Sequence, residues 1–187
     1  YQAALTGQGD YAVSLGYQAG NDGQGENSVA LGNSSGFANQ GGNSVAIGAF
    51  AGEKNQGNTS IALGNFAGNT GQGDNAIALG NFAGNTGQGD NSIALGNYAG
   101  ADNQGVEAVA IGYEAGKNQG DYAIAMGYQA GANTQGESSI AIGYLAGLTN
   151  QSDNAVAIGN SAGADSQGQY GVAIGYDAGK HQDTGSV

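Results

Sequence analysis

Asn65-Phe66-Ala67-Gly68-Asn69-Thr70-Gly71-Gln72-Gly73-Asp74-Asn75-Ala76-Ile77-Ala78-Leu79-Gly80 is followed at once by Asn81-Phe82-Ala83-Gly84-Asn85-Thr86-Gly87-Gln88-Gly89-Asp90-Asn91-Ser92-Ile93-Ala94-Leu95-Gly96. The two stretches differ only at Ala76 and Ser92. Outward from this pair, an aliphatic residue followed by Gly recurs at Leu15, Leu31, Ile47, Leu63, Leu79, Leu95, Ile111, Met126, Ile142, Ile158 and Ile174. The spacing is 16 throughout, except for one step of 15 between Ile111 and Met126. Copies of the unit fill nearly all of residues 1–187. One repeat domain is therefore expected, and since Tyr1-Gln2-Ala3-Ala4 matches the middle of a copy, we expect a segment of a longer fibre.

Sixteen residues are too few for a helical hairpin repeat, and two Gly at turn spacing in each copy would break a helix. The unit reads as one coil of a parallel β-solenoid, an all-β fold of about eleven coils. Within a coil, Val/Ile and Ile/Leu stand two apart, so they share one face of a short strand, and the Ala between them faces the other way. The expected core is the aliphatic set, represented by Val45, Ile47, Ile61, Leu63, Ile77, Leu79, Ile93 and Leu95. The flat column Ala30, Ala46, Ala62 is then the face expected to meet another chain. The Gly after the strand and the Gly after the next Ala recur in every copy, which predicts positive φ or close backbone approach. The missing residue falls at Lys117-Asn118, between Gly116 and Gln119. An indel there predicts a loop. At about 4.8 Å per coil, eleven coils make a rod of roughly 50 Å.

Composition removes several function classes. Fifteen acids against three lysines give a net charge of −12, so neither nucleic acid nor an anionic membrane surface suits this segment. The absence of Cys excludes disulfide, thiolate-metal and cysteine-nucleophile chemistry. No apolar run is long enough to cross a bilayer. The single histidine, His181, stands beside Lys180 and Asp183 in the trailing end, and acids occur singly in each copy, so no catalytic pair is expected and no cofactor is called for.

Stacked coils turn each repeat position into a ladder. Gln56, Gln72, Gln88 and Gln104 belong to the most complete polar one, and an amide that both donates and accepts can bond along the axis. Acids recur at Asp10, Glu26, Asp74, Asp90, Asp121, Glu137 and Asp153, where solvated turn carboxylates are expected rather than a calcium ladder. Phe50, Phe66, Phe82 and Tyr98 form one aromatic column, after which the aromatic moves one position, to Tyr113, Tyr128 and Tyr144. Packing accounts for such a column; a ligand platform, for instance for a stacked glycan, is the sharper reading, and these four rings are its binding candidates.

The copies Asn27-Ser28-Val29-Ala30-Leu31-Gly32, Asn43-Ser44-Val45-Ala46-Ile47-Gly48 and Asn154-Ala155-Val156-Ala157-Ile158-Gly159 resemble the head repeat of YadA-like trimeric autotransporter adhesins. Similar repeats occur in phage tail fibres, and Tyr128-Gln129-Ala130-Gly131 resembles that form. The resemblance implies a left-handed parallel β-roll, three identical chains about one axis, and an extracellular fibre at a bacterial cell surface that attaches to host or abiotic surfaces, with a surface glycan or matrix protein as partner. A virion tail fibre is the alternative owner. The repeat here is longer than the family's, through its Gln-Gly insertion. An ice-binding solenoid, a third class, needs a flat Thr column, yet only Thr70 and Thr86 are equivalent in adjacent copies.

Overall fold

A computed structural model describes residues 2–187; Tyr1 lies outside the described residues. Each full coil carries two short strands joined by Gly-containing turns. The first strand is the aliphatic one, as in Val45–Ile47 and Ile61–Leu63. Eleven of these, from Val13–Leu15 to Val172–Ile174, stack in chain order into one sheet. Pairing is parallel and in register, Val45 on Ile61, Ala46 on Ala62 and Ile47 on Leu63. No helix occurs among the described residues. The chain is an all-β parallel solenoid, as the period predicts.

The second strand ends on the repeated Gln, as in Lys54–Gln56 and Thr70–Gln72. These form a sheet of six, from Asp22–Gln24 to Asp102–Gln104, and another of four, from Asn133–Gln135 to His181–Gln182. The break falls at the 15-residue coil, where Gln119 keeps isolated bridges to Gln104 and Gln135. Lys117 and Asn118 form a bend and not a strand, so the expected loop is there, and the missing residue interrupts the second sheet. The solenoid closes over the defect because the Gln position itself stays in register.

The expected core is reversed. Ala46, Ala62, Ala78 and Ala94 are fully buried, together with Ala51, Ala67, Ala83 and Ala99 from the following turn. Val45, Ile47 and Ile93 are only half-buried, and Ile61, Leu63, Ile77, Leu79 and Leu95 are exposed at 36–40%. Alternation holds as read, but the small residue is the inward one. Two three-residue strands enclose too thin a space for two branched side chains per coil, so the roll is filled by Ala, Ser and Gln. Ala30, Ala46 and Ala62 thus cannot meet another chain.

Close approach of backbones accompanies the thin interior. Gly48 has φ +129, and a Cβ built on it would lie 2.4 Å from the carbonyl oxygen of Gly64 in the next coil. The turns bond coil to coil much as the strands do: Phe50 N donates to Asn33 O at 2.8 Å and Thr59 N to Gly42 O at 2.9 Å. With little apolar volume inside, much of the cohesion of a single chain comes from these ladders.

Candidate functional site

Parity sends the largest apolar side chains outward, onto one face. Val45, Ile47, Ile61, Leu63, Ile77, Leu79, Ile93 and Leu95 sit side by side on the outside of the eleven-stranded sheet. The same two columns run from Val13 and Leu15 to Val172 and Ile174. The opposite sheet begins its strands with Lys54, Thr70, Thr86 and Asp102, a polar series. One long side of the rod is apolar and the other is polar. A continuous exposed apolar strip of this kind marks an interaction surface.

The Phe column stands at the turn after the aliphatic strand. Phe50, Phe66, Phe82 and Tyr98 stack with ring centroids 4.8, 4.8 and 4.9 Å apart and interplanar angles of 12, 7 and 2°. All four rings are half-buried, and all four residues have positive φ, 55–58°. Tyr113, Tyr128 and Tyr144 form the second stack, at 5.2 Å between centroids, with 41–51% exposure. Each lies two residues beyond an aliphatic of the outer face, so the tyrosines extend that face along its rim. A hydrogen bond with the adjacent Glu114 raises the Tyr113 phenol above the ordinary tyrosine range.

The Gln column is interior, which sequence reasoning missed. Gln56, Gln72, Gln88 and Gln104 are 2% exposed. Each donates Nε2 across the coil to a carbonyl of the aliphatic strand: Gln56 to Val45 O at 2.9 Å, Gln72 to Ile61 O and Gln88 to Ile77 O at 2.8 Å, Gln104 to Ile93 O at 2.7 Å. Bonds along the axis also occur, from Gln56 to Gln72 Oε1 at 3.2 Å and from Gln119 to Gln135 Oε1 at 3.1 Å, but not at every rung. The amide is a cross-brace first and a ladder second.

The acids have a local task as well. Asp74 Oδ1 accepts the backbone N–H of Asn58 at 2.7 Å, and Asp90 that of Asp74 at 2.9 Å. Asp121 and Asp153 do the same for Val106 and Glu137. These four Asp carboxylates and the Asn58 amide, which accepts Gly42 N at 3.0 Å, cap a donor of the preceding coil, whereas Glu26 and Glu137 in the same column do not. His181 stands 3.6 Å from Asp165 and Lys180 3.1 Å from Asp177, all well exposed.

A stacked parallel solenoid with an Ala/Gln interior and an apolar flank defines a repeat protein built to lie against something. The YadA head domain repeat family matches residues 24–35, 88–115, 119–146 and 151–178, just over half of the chain. The chain belongs to that family, whose repeats are structural and build adhesin-like surface fibres. Comparison with curated proteins finds no match.

Proposed function

We propose that this chain is a rigid, self-associating segment of an extracellular fibre, extending beyond these residues, that attaches a bacterial surface to host or abiotic surfaces. The observation that carries the reading is the apolar flank, two aliphatic columns wide and eleven strands long. Burying a Leu or Ile side chain contributes about 1.5–3 kcal/mol. Three copies packed flank to flank about one axis would cover these columns and leave the polar sheets in water, in keeping with the homotrimers of the family. The flank thus supplies the bulky core that the roll itself lacks. The Phe50, Phe66, Phe82, Tyr98 column, half-buried at the turn, is our binding platform, its exposed edges suited to a glycan or a matrix protein.

Sedimentation equilibrium at several concentrations tests the assembly. Three chains per particle is the expected mass, and a stable monomer would overturn the reading. For the platform, replacing Phe50, Phe66, Phe82 and Tyr98 with Ser should abolish surface binding while the melting temperature stays level. A parallel fall in both returns the rings to packing.

A further inference from the structure

From Gly9 to Gly168 a Gly follows the interior Gln in every coil but one, where Ser152 follows Gln151. The column has a steric reason for Gly. A Cβ built on Gly136 would lie 2.5 Å from Asp153 N and 2.6 Å from the Ser152 carbonyl carbon, because the next coil's backbone occupies the place of a side chain. At Ser152 a Cβ stands where the column otherwise has none. The bond from Ser152 N to Gln167 O is 3.0 Å, against 2.7–2.8 Å for its equivalents. One turn further, Tyr170 N to Asp153 O is 3.3 Å, against 2.8–2.9 Å in the other coils. At this step the second sheet pairs only Gln151 with Gln167.

An open groove of about 410 Å³ beside Ser152 is lined by Thr134, Gly136, Asn150, Ser152, Asp153 and Gln169. That volume falls within the range of small-molecule sites, roughly 300–1,000 Å³. Among the described residues, the side chains of Thr134, Asn150, Ser152 and Gln169 make no hydrogen bond within the chain, while Asp153 engages only Oδ1, on Glu137 N. Two hydroxyls, two amides and one carboxylate oxygen thus face a single groove with their capacity unspent. No cation lines it, and the chain carries −12, so an anion is disfavoured. Neighbouring hydroxyls on a sugar ring both donate and accept, which matches a mixed set of amides, hydroxyls and a carboxylate.

We propose that this groove is a saccharide subsite that takes a pyranose unit of a neutral glycan. It deepens the adhesive reading but lies apart from the Phe50 to Tyr98 column. The test is saturation-transfer NMR on the full chain with four methyl glycosides as probes: glucoside, galactoside, mannoside and N-acetylglucosaminide. Transfer to at least one is expected. Ser152→Gly removes one of the two hydroxyls that line the groove, so it should weaken that binding several-fold, with circular dichroism and particle mass unchanged. Asn150→Ala, which leaves the coil spacing alone, should weaken it several-fold. No transfer to any of the four, or equal transfer in Ser152→Gly, overturns the proposal. So does a calcium titration that shifts the Asp153 resonances in a chain that ignores all four sugars. Retained surface binding in Ser152→Gly, lost in the Phe-to-Ser variant, would sink the subsite alone and leave the fibre reading standing.

Discussion

Gln88 shows how one side chain can decide a coil. Its Nε2 reaches Ile77 O at 2.8 Å across an interior otherwise lined by Ala and Ser. Gln88→Ala removes that bond, strands a buried carbonyl and leaves a void, together worth about 2–4 kcal/mol. The expected outcome is a lower urea midpoint with the parent's particle mass retained at zero denaturant. Gln88→Glu should be worse at neutral pH, since a carboxylate cannot donate to Ile77 O and loses water on burial. Burial raises the folded pKa of the introduced carboxyl above its unfolded value. The penalty is therefore present at pH 7 and relieved as pH falls through that raised value, because the protonated acid can donate again. Urea midpoints at pH 7 and pH 4 check the sign; a variant that loses stability faster than the parent on acidification contradicts the brace. Phe66 makes a different compromise at the same scale. Its φ of 55° is a costly conformation for a bulky residue, roughly 1–3 kcal/mol, and two stacked neighbours at 4.8 Å offset part of it. Other coils place Gln18, Ser34 or Glu114 there, so the ring is not needed for the turn itself.

At the scale of the strand, the question is which face is inside. Ala78→Leu puts three extra carbons into a roll that has no room for them, so a loss of about 1–3 kcal/mol or more is expected, with a weaker far-UV β signal on heating. Ile77→Asp, one residue away, should leave the coil folded and instead disperse the proposed assembly. Equilibrium mass and circular dichroism together separate the two; an Ile77→Asp chain that unfolds while still a monomer would restore Ile77 to the core. The sixteen-residue period, the parallel stacking and the alternation of Val45, Ala46 and Ile47 were all legible from the residues. The direction of that alternation was not, because parity is symmetrical and hydropathy favours the larger residue. The clue lay in size, since Ser14 is the sole departure from Ala in the column and a sixteen-residue coil encloses little volume. Thr70-Gly71-Gln72 was illegible for a related reason. Its only inward residue is polar, so the strand carries no apolar signal, and the burial of Gln72 follows only once Ile61 O is known to face it. Stacking of the aromatic columns was legible, since in-register coils leave equivalent rings one strand spacing apart. The groove beside Ser152 was illegible, because Thr134, Asn150 and Gln169 come from three successive coils. The bend at Lys117-Asn118 yields a further expectation: inserting one Gly between them completes the coil, joins the six- and four-stranded sheets, and slows hydrogen exchange at the Gln119 amide, whose bond to Asn103 O is now 3.2 Å.

For the molecule as a whole, each coil touches only its neighbours, so the rod behaves as a stack of nearly independent units joined by like interfaces. Residues 81–96 repeat residues 65–80 almost letter for letter, which makes them a removable unit. Deleting 81–96 joins Gly80 to Asn97 and sets Ile77 against Val109, Gln72 against Gln104 and Phe66 against Tyr98. Every column then keeps its chemistry with one rung fewer. The expected product has the parent's number of chains and is shorter by one coil spacing, about 4.8 Å by X-ray scattering, with three stacked rings instead of four and a melting temperature within a few degrees of the parent. Deleting only 81–88 removes half a coil and should be ruinous. It would bring the second-strand Gln opposite the aliphatic strand, exchange Ala for polar residues inside, and direct the Cβ-free turns away from the backbones they accommodate. The contrast between the two deletions tests the central physical claim, that registry between coils and not local turn propensity holds the rod together. If the half-coil deletion folded as well as the full one, the turns alone would be setting the structure, and the interior ladder of Ala and Gln would have to be demoted to filler.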